Sequence, residues 1–255
     1  VAARPYAAAL AEVIGDLVTP QLAEQFPLLR QPAPPARGGP TRAALILVTS
    51  NRGLCGGFNA NLIKEARRQI EALEGQGYQV ELHAVGKKGI GYFKYLGRPL
   101  ATQRVDIGDK PVVDHAVELV AGPIADFAAG RLASLDLVAA RFNSPLSTPP
   151  ATTRILPVQA PAPRPGASRP DYLLQPGPDA ILNQLLPLYI RNQVYRGLVE
   201  TAASEHGARR TAMKNATDNA GEIYEALKRT YNRQRQAAIT QEIAEIVGGA
   251  AALEG

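Results

Sequence analysis

The residues with the most chemical promise are RGLCGG, Arg52 to Gly57. A glycine-rich turn between a strand and a helix can present backbone N–H groups to a phosphate. This one lacks the GxGxxG of dinucleotide folds and the Gly-Lys-Ser/Thr of a P-loop. We therefore read Arg52, Gly53, Cys55, Gly56 and Gly57 as a structural turn that packs a helix onto a sheet. Cys55 lies where a helix N-terminus could activate a thiol. None of His83, His115 and His206 sits in a recognisable partner motif, so a small buried cysteine is expected instead. The histidines lack metal-ligand spacing, and no pair of carboxylates stands out for acid–base work. The sequence offers no enzyme and calls for no cofactor or metal.

The elements around the turn follow from the apolar pattern. Ala43 to Thr49 is a continuous apolar run of strand length, as expected for a strand covered on both faces. After the turn, Asn59 is the expected N-cap of a helix reaching about Glu74. Tyr78 to Val85 alternates as a second strand, and GKKGIGYFKYLG forms a short helix with Lys87 and Lys88 in a solvated turn before it. Leu100 to Val105 is a third strand. Pro111 to Ala129 is a helix with Pro111 in its first turn. Ser134 to Phe142 and Thr152 to Val158 form a hairpin, and the proline-rich residues 159–171 an exposed loop.

Two helical regions flank this core. Residues 1 to about 25 place Tyr6, Leu10, Val13, Ile14 and Leu17 on one side. Residues 178–253 read as one very long helix, because no proline interrupts them from Leu188 onward and strong helix formers dominate. Roughly 70 helical residues extend about 100 Å. A break near Gly197 or Gly207 is the alternative. Met213, Ala216, Ala220, Ile223, Leu227 and Tyr231 step by three and four, a narrow seam that calls for another helix.

The C-terminal stretch ARRTAMKNATDNAGEIYEALKRTYNRQRQAAITQEIAEIVGGAAAL closely resembles the end of the gamma subunit of F-type ATP synthases, the central rotor shaft. LVTSNRGLCGGFNANL, residues 47–62, resembles that family's other signature. The resemblance implies an α/β, Rossmann-like foot domain inserted between N- and C-terminal helices that pair as an antiparallel coiled coil. The divisions are then 1–26 for an incomplete N-terminal shaft helix, 27–42 for a linker, 43–176 for the foot and 177–255 for the long shaft helix. The chain starts at Val1 in mid-pattern, so part of the family's N-terminal segment is expected to be missing. The implied partners are the alpha and beta subunits of the catalytic hexamer, the epsilon subunit and the c-subunit ring.

In the family motif, positions matching Arg209, Arg235, Gln236, Thr240 and Glu242 contact the beta subunits. Tyr172 matches a position beside the ring, and Gln175 stands where a ring-contacting acid is often found. Asn51 replaces the usual Asp, and Arg210 a common Met. The implied role is a non-catalytic rotor on the cytoplasmic face of a bacterial inner membrane. The rival reading is a stand-alone nucleotide-binding α/β protein that dimerises through the long helix, with RGLCGG as its phosphate loop.

Composition narrows the field further. The 45% hydrophobic content suffices for a packed core. The net charge of +5 comes from scattered bases interleaved with acids, and only 5% of residues are aromatic. Nothing there builds a nucleic-acid platform. A single cysteine excludes an internal disulfide.

Overall fold

The computed structural model describes residues 3–18, 24–32, 34, 35, 38, 41–159 and 177–254. Its elements are α1 (Ala3–Leu17), β1 (Arg42–Val48), α2 (Phe58–Gly75), β2 (Gln79–Val85), α3 (Lys87–Tyr95) and β3 (Thr102–Arg104). They continue with α4 (Val113–Ala128), β4 (Leu132–Ala140), β5 (Pro150–Leu156) and α5 (Pro178–Glu254). The chain divides into two compact units, residues 1–210 and 211–255. Helix α5 belongs to both and is continuous across the division.

The first unit is built on a five-stranded sheet in the order β3-β2-β1-β4-β5. β1 pairs in parallel with both β2 and β4, and only β5 runs antiparallel, against β4. The chain winds outward through α2 and α3 in one direction, then returns through α4 to the other side of β1. The two directions of winding place helices on opposite faces of the sheet.

Alternation along β1 shows the result. Leu45 and Leu47 join Phe58, Leu62, Ala66, Ile70 and Phe93 under α2 and α3. Ala44, Ile46 and Val48 join the opposite cluster, with Ala116, Leu119 and Val120 of α4. Both faces of β1 are buried, which is why its sequence reads as an unbroken apolar run. Helices α2, α3 and α4 all stop in the same way. Gly77, Gly97 and Gly130 adopt positive φ, and the N–H of the following residue donates to the carbonyl five positions back, as in Tyr78 to Leu73 at 3.1 Å.

Helix α5 enters the same core. Leu182, Leu186, Ile190, Val194 and Leu198, at every fourth position, are each no more than 2% exposed and pack in the cluster that also holds Leu10, Ile14 and Leu17 of α1. The helix is continuous, as expected, and the alternative of a break near Gly197 or Gly207 is not seen. Gly197 and Gly207 instead mark close approach: a β-carbon would lie 2.6 Å from Leu137 Cδ2 at the first and 3.1 Å from Pro145 Cα at the second.

Several boundaries differ from the sequence reading. α2 begins at Phe58 with Gly57 as its cap, because the side chain of Asn59 is spent on Ser50. Pro111 lies outside α4: Val112 is extended and its N–H donates to His115 Nδ1 at 3.2 Å, so a histidine two residues into the helix supplies the cap. Lys87 and Lys88 open α3 rather than precede it, and both are exposed. β4 starts at Leu132 and ends at Ala140. α1 stops at Leu17. Residues 160–176, which contain most of the expected proline-rich loop and both Tyr172 and Gln175, lie outside the described residues.

Candidate functional site

In a doubly wound sheet the crevice for a ligand opens at the carboxyl ends of the strands where the winding reverses, here between β1 and β4. The glycine turn follows β1 directly and therefore borders that crevice. Its folding is local. Ser50 donates its N–H to Asn59 Oδ1 at 3.0 Å and its hydroxyl to the Arg52 carbonyl at 2.6 Å. Asn59 Nδ2 reaches Cys55 Sγ at 3.1 Å, and Cys55 is 3% exposed. The thiol is buried, as expected from the sequence.

Leu54 and Gly56 both take positive φ, 63° and 57°, so the turn requires two left-handed residues. Leu54, a residue that rarely adopts this conformation, is 72% exposed. Thr49 anchors the turn to its neighbour. Its hydroxyl donates to the Val85 carbonyl at 2.9 Å and accepts from the Gly89 N–H at 2.9 Å. Gly86, at φ 94°, presses so close that a β-carbon would sit 2.1 Å from the Thr49 carbonyl oxygen.

Asn51 explains its own departure from the expected Asp. Its amide nitrogen donates to the Val105 carbonyl at 2.9 Å and to the Ile107 carbonyl at 3.2 Å, while Oδ1 accepts from the Lys87 N–H at 3.0 Å. A carboxylate cannot donate, so an aspartate here would face two carbonyl oxygens with lone pairs alone. Arg210 is exposed and faces solvent.

What occupies the crevice is helix α5. Thr201 Oγ1 accepts from the N–H of Ala140, the last residue of β4, at 3.0 Å, and Glu200 Oε2 accepts from the Phe142 N–H at 3.2 Å. Arg209 donates from Nε to the Gly53 carbonyl at 3.2 Å and pairs with Glu205. Glu200, Thr201, Ser204 and Glu205 are all buried. Outside them, Asp109 lies 3.8 Å from Arg52 and 3.7 Å from His206.

The space left among Val48, Thr49, Val85, Ile107, Leu198 and Thr201 is about 20 Å³. A small-molecule site needs several hundred Å³. The nucleotide-binding reading therefore loses its pocket to a helix. A wider groove, about 960 Å³, runs over the outer surface of α2 and α3. There Arg68 is paired with Glu65 and Arg67 with Glu71. No cluster of three metal-ligating side chains occurs among the described residues.

The sequence reading missed the polar run Glu200-Thr201-Ser204-Glu205, because polar residues on a long helix look like its solvated face. The available signal was spacing: Arg196–Glu200 and Glu205–Arg209 are i,i+4 pairs that continue the buried stripe of 182–198. Electrostatics elsewhere in this unit are dominated by Arg104, which is bonded to both Asp106 and Glu118. The guanidinium pulls the Asp106 carboxyl down to about 2. Asp136, buried opposite Arg154 across the β4–β5 pair, is raised by desolvation, which Arg154 and Gln69 offset only in part.

The second unit is the C-terminal part of α5. Met213, Ile223, Leu227 and Tyr231 are 38%, 61%, 64% and 64% exposed, so the narrow apolar seam is left uncovered among the described residues. Arg235, Gln236, Thr240 and Glu242 are exposed too. At about 100° per residue, Arg235 and Glu242 share one direction, and Gln236 and Thr240 another roughly 100° further round. The exposed Ile239, Ile243 and Ile246 fall between them. The helix thus presents an apolar stripe flanked by two different polar edges.

Comparison with known proteins agrees over the whole chain. The family model described as ATP synthase matches residues 1–253. The ATP synthase gamma chain of Gemmatimonas aurantiaca is 56% identical over 255 residues, all of this chain and 86% of that protein. The gamma chain of Moorella thermoacetica is 43% identical over 253 residues, 99% of this chain and 86% of that protein. Among solved structures, a chain of the Euglena gracilis mitochondrial ATP synthase superposes with a TM-score of 0.60 at 22% identity, covering 84% of this chain and 73% of its own length. A chain of the Tetrahymena thermophila central stalk and c-ring gives 0.54 at 23% identity, over 70% of this chain and 78% of its own.

Proposed function

Because the chain belongs to the ATP synthase gamma chain family, we propose that it is the central-stalk rotor of an F-type ATP synthase, a mechanical subunit without a catalytic site of its own. One observation carries the reading. Helix α5 runs 77 residues without a break, about 115 Å, and from residue 211 on its apolar stripe and its polar edges are exposed. A helix of that length with an uncovered seam is built to be surrounded by other chains.

The mechanism follows from asymmetry. A rod that offers different faces to several similar catalytic sites stabilises a different conformation in each, and rotation exchanges those conformations in turn. The apolar and small residues TQEIAEIVGGAAAL suit a tip turning within an apolar sleeve. Arg235, Gln236, Thr240 and Glu242 are the contacts to the catalytic beta subunits, and alpha subunits complete the surround. The epsilon subunit and the c-ring bind the α/β unit, with Tyr172 and Gln175 at the ring. The subunit is a peripheral part of a membrane-bound complex, on the cytoplasmic face of a bacterial inner membrane. Among the described residues no helix is long and apolar enough to cross the bilayer.

Reconstitution tests the assignment. The chain is mixed with alpha and beta subunits and compared with a Gln236→Ala/Thr240→Ala variant. Assembly with ATP hydrolysis that falls about tenfold in the variant, the scale of two lost hydrogen bonds, is expected. Failure of the wild-type chain to join the hexamer sinks the reading.

A further inference from the structure

The buried stripe that seats α5 in the first unit repeats every fourth residue, from Leu182 to Leu198. Such a stripe is nearly superimposable on itself after a shift of one helical turn, so these five apolar residues by themselves fix neither the axial register nor the rotational setting of the helix; Gly197, where a β-carbon would meet Leu137, adds a steric constraint. The next turns change character. Thr201 and Glu200 accept from the backbone N–H groups of Ala140 and Phe142, and Arg209, oriented by Glu205, donates to the carbonyl of Gly53. These bonds engage fixed main-chain positions at the ends of β4 and in the turn after β1, and a helix shifted by one turn cannot make them.

We propose that Thr201, Glu200 and the Glu205–Arg209 pair form a register lock, by which the crevice of the sheet grips the shaft helix and transmits torque to it without slip. They are positioning residues, and the proposal rests on the rotor reading above. Buried polar groups are well suited to this task, since their directional bonds specify one register at some cost in stability. The lock gives Arg209 an intrachain role that its place in the family motif did not suggest. Gly197 and Gly207 let the helix come close enough to be held.

The test uses Thr201→Val and Thr201→Val/Arg209→Met, which keep side-chain volume while removing the acceptor and the donor, with Thr201→Ser as the restoring variant. Each full-length chain is first checked for wild-type helicity and for assembly with alpha and beta subunits. Wild-type failure at that stage overturns the rotor reading and not the lock. In the isolated chain, hydrogen exchange at the Ala140 amide is expected to rise about tenfold in Thr201→Val, the loss of one protecting bond, and to return in Thr201→Ser. In the complete membrane complex, ATP-driven ion uptake per ATP hydrolysed is expected to fall about fivefold in the double variant while hydrolysis itself stays within about twofold. An unchanged uptake ratio alongside raised exchange overturns the lock, as does a parallel loss of hydrolysis and uptake. Should the double variant lose helicity, the single variant decides by the same ratio.

Discussion

The two compact units use one helix in opposite ways. Between Leu182 and Arg209, α5 is a core element: its apolar stripe is buried, Glu200, Thr201 and Arg209 have main-chain partners, and its glycines touch neighbouring strands and loops. From Thr211 on, the same helix is richer in alanine than in leucine and buries almost nothing; Ile223 and Leu227 are each more than 60% exposed. The difference teaches that helix propensity keeps the rod continuous, while the surroundings decide whether a residue is structural or available. Where the sheet is present, sequence changes act on folding. Beyond it they act on whatever surrounds the rod.

Glycine substitution should separate the regions most sharply. Gly86→Ala places a β-carbon against the Thr49 carbonyl in a left-handed backbone, and we expect a loss of more than about 4 kcal/mol, enough to prevent folding. Gly221→Ala meets nothing within 4 Å inside a helix and should stabilise it by about 1 kcal/mol. Urea titration followed by circular dichroism reads both, and equal signs would erase the distinction between the units.

Apolar truncation is the next largest effect. Ile190→Ala should cost about 2–5 kcal/mol in the isolated chain. Leu227→Ala should stay within about 0.5 kcal/mol there and weaken assembly with partner subunits instead. A stability loss for Leu227→Ala matching that of Ile190→Ala would mean the seam is already covered in the free chain.

The smallest effect concerns acid. Asp106 is held down near 2 by Arg104, so its folded pKa lies below its unfolded value. Its contribution is complete above the ordinary aspartate range and is lost as pH falls from about 4 toward 2. With half its side chain exposed, solvent limits it to under about 1 kcal/mol. Asp106→Asn should flatten the unfolding profile over that window and lower stability at neutral pH by no more than that same contribution. A flattening above pH 6 would point to another group.

Much of this division was legible beforehand. Ala43 to Thr49 announced a strand buried on both faces, and the unbroken run of helix formers announced a single rod, because periodicity and breakers are local signals. Asn59 was misplaced as a cap because nothing local reveals that Ser50 claims its side chain. Thr201 and Glu205 were illegible for the same reason on a larger scale. Their partners, Ala140 and, through Arg209, Gly53, lie about 60 and 150 residues away, and only the fold brings them together. The helix from the far end of the chain that seats beside the glycine turn was not legible at all.

One consequence concerns how the molecule is made. The core that covers Ile46 on β1 is completed by Leu182 to Leu198. At ribosomal speeds of about 5–20 residues per second, that strand emerges on the order of ten seconds before its cover. During this interval the nascent sheet shows an apolar face that α1 and α4 cover only in part, the condition under which chaperones bind and aggregation begins. Premature termination anywhere before residue 198 would leave that face permanently open. The shaft helix therefore also closes the domain from which it grows, and the ribosome delivers that closure near the end of synthesis.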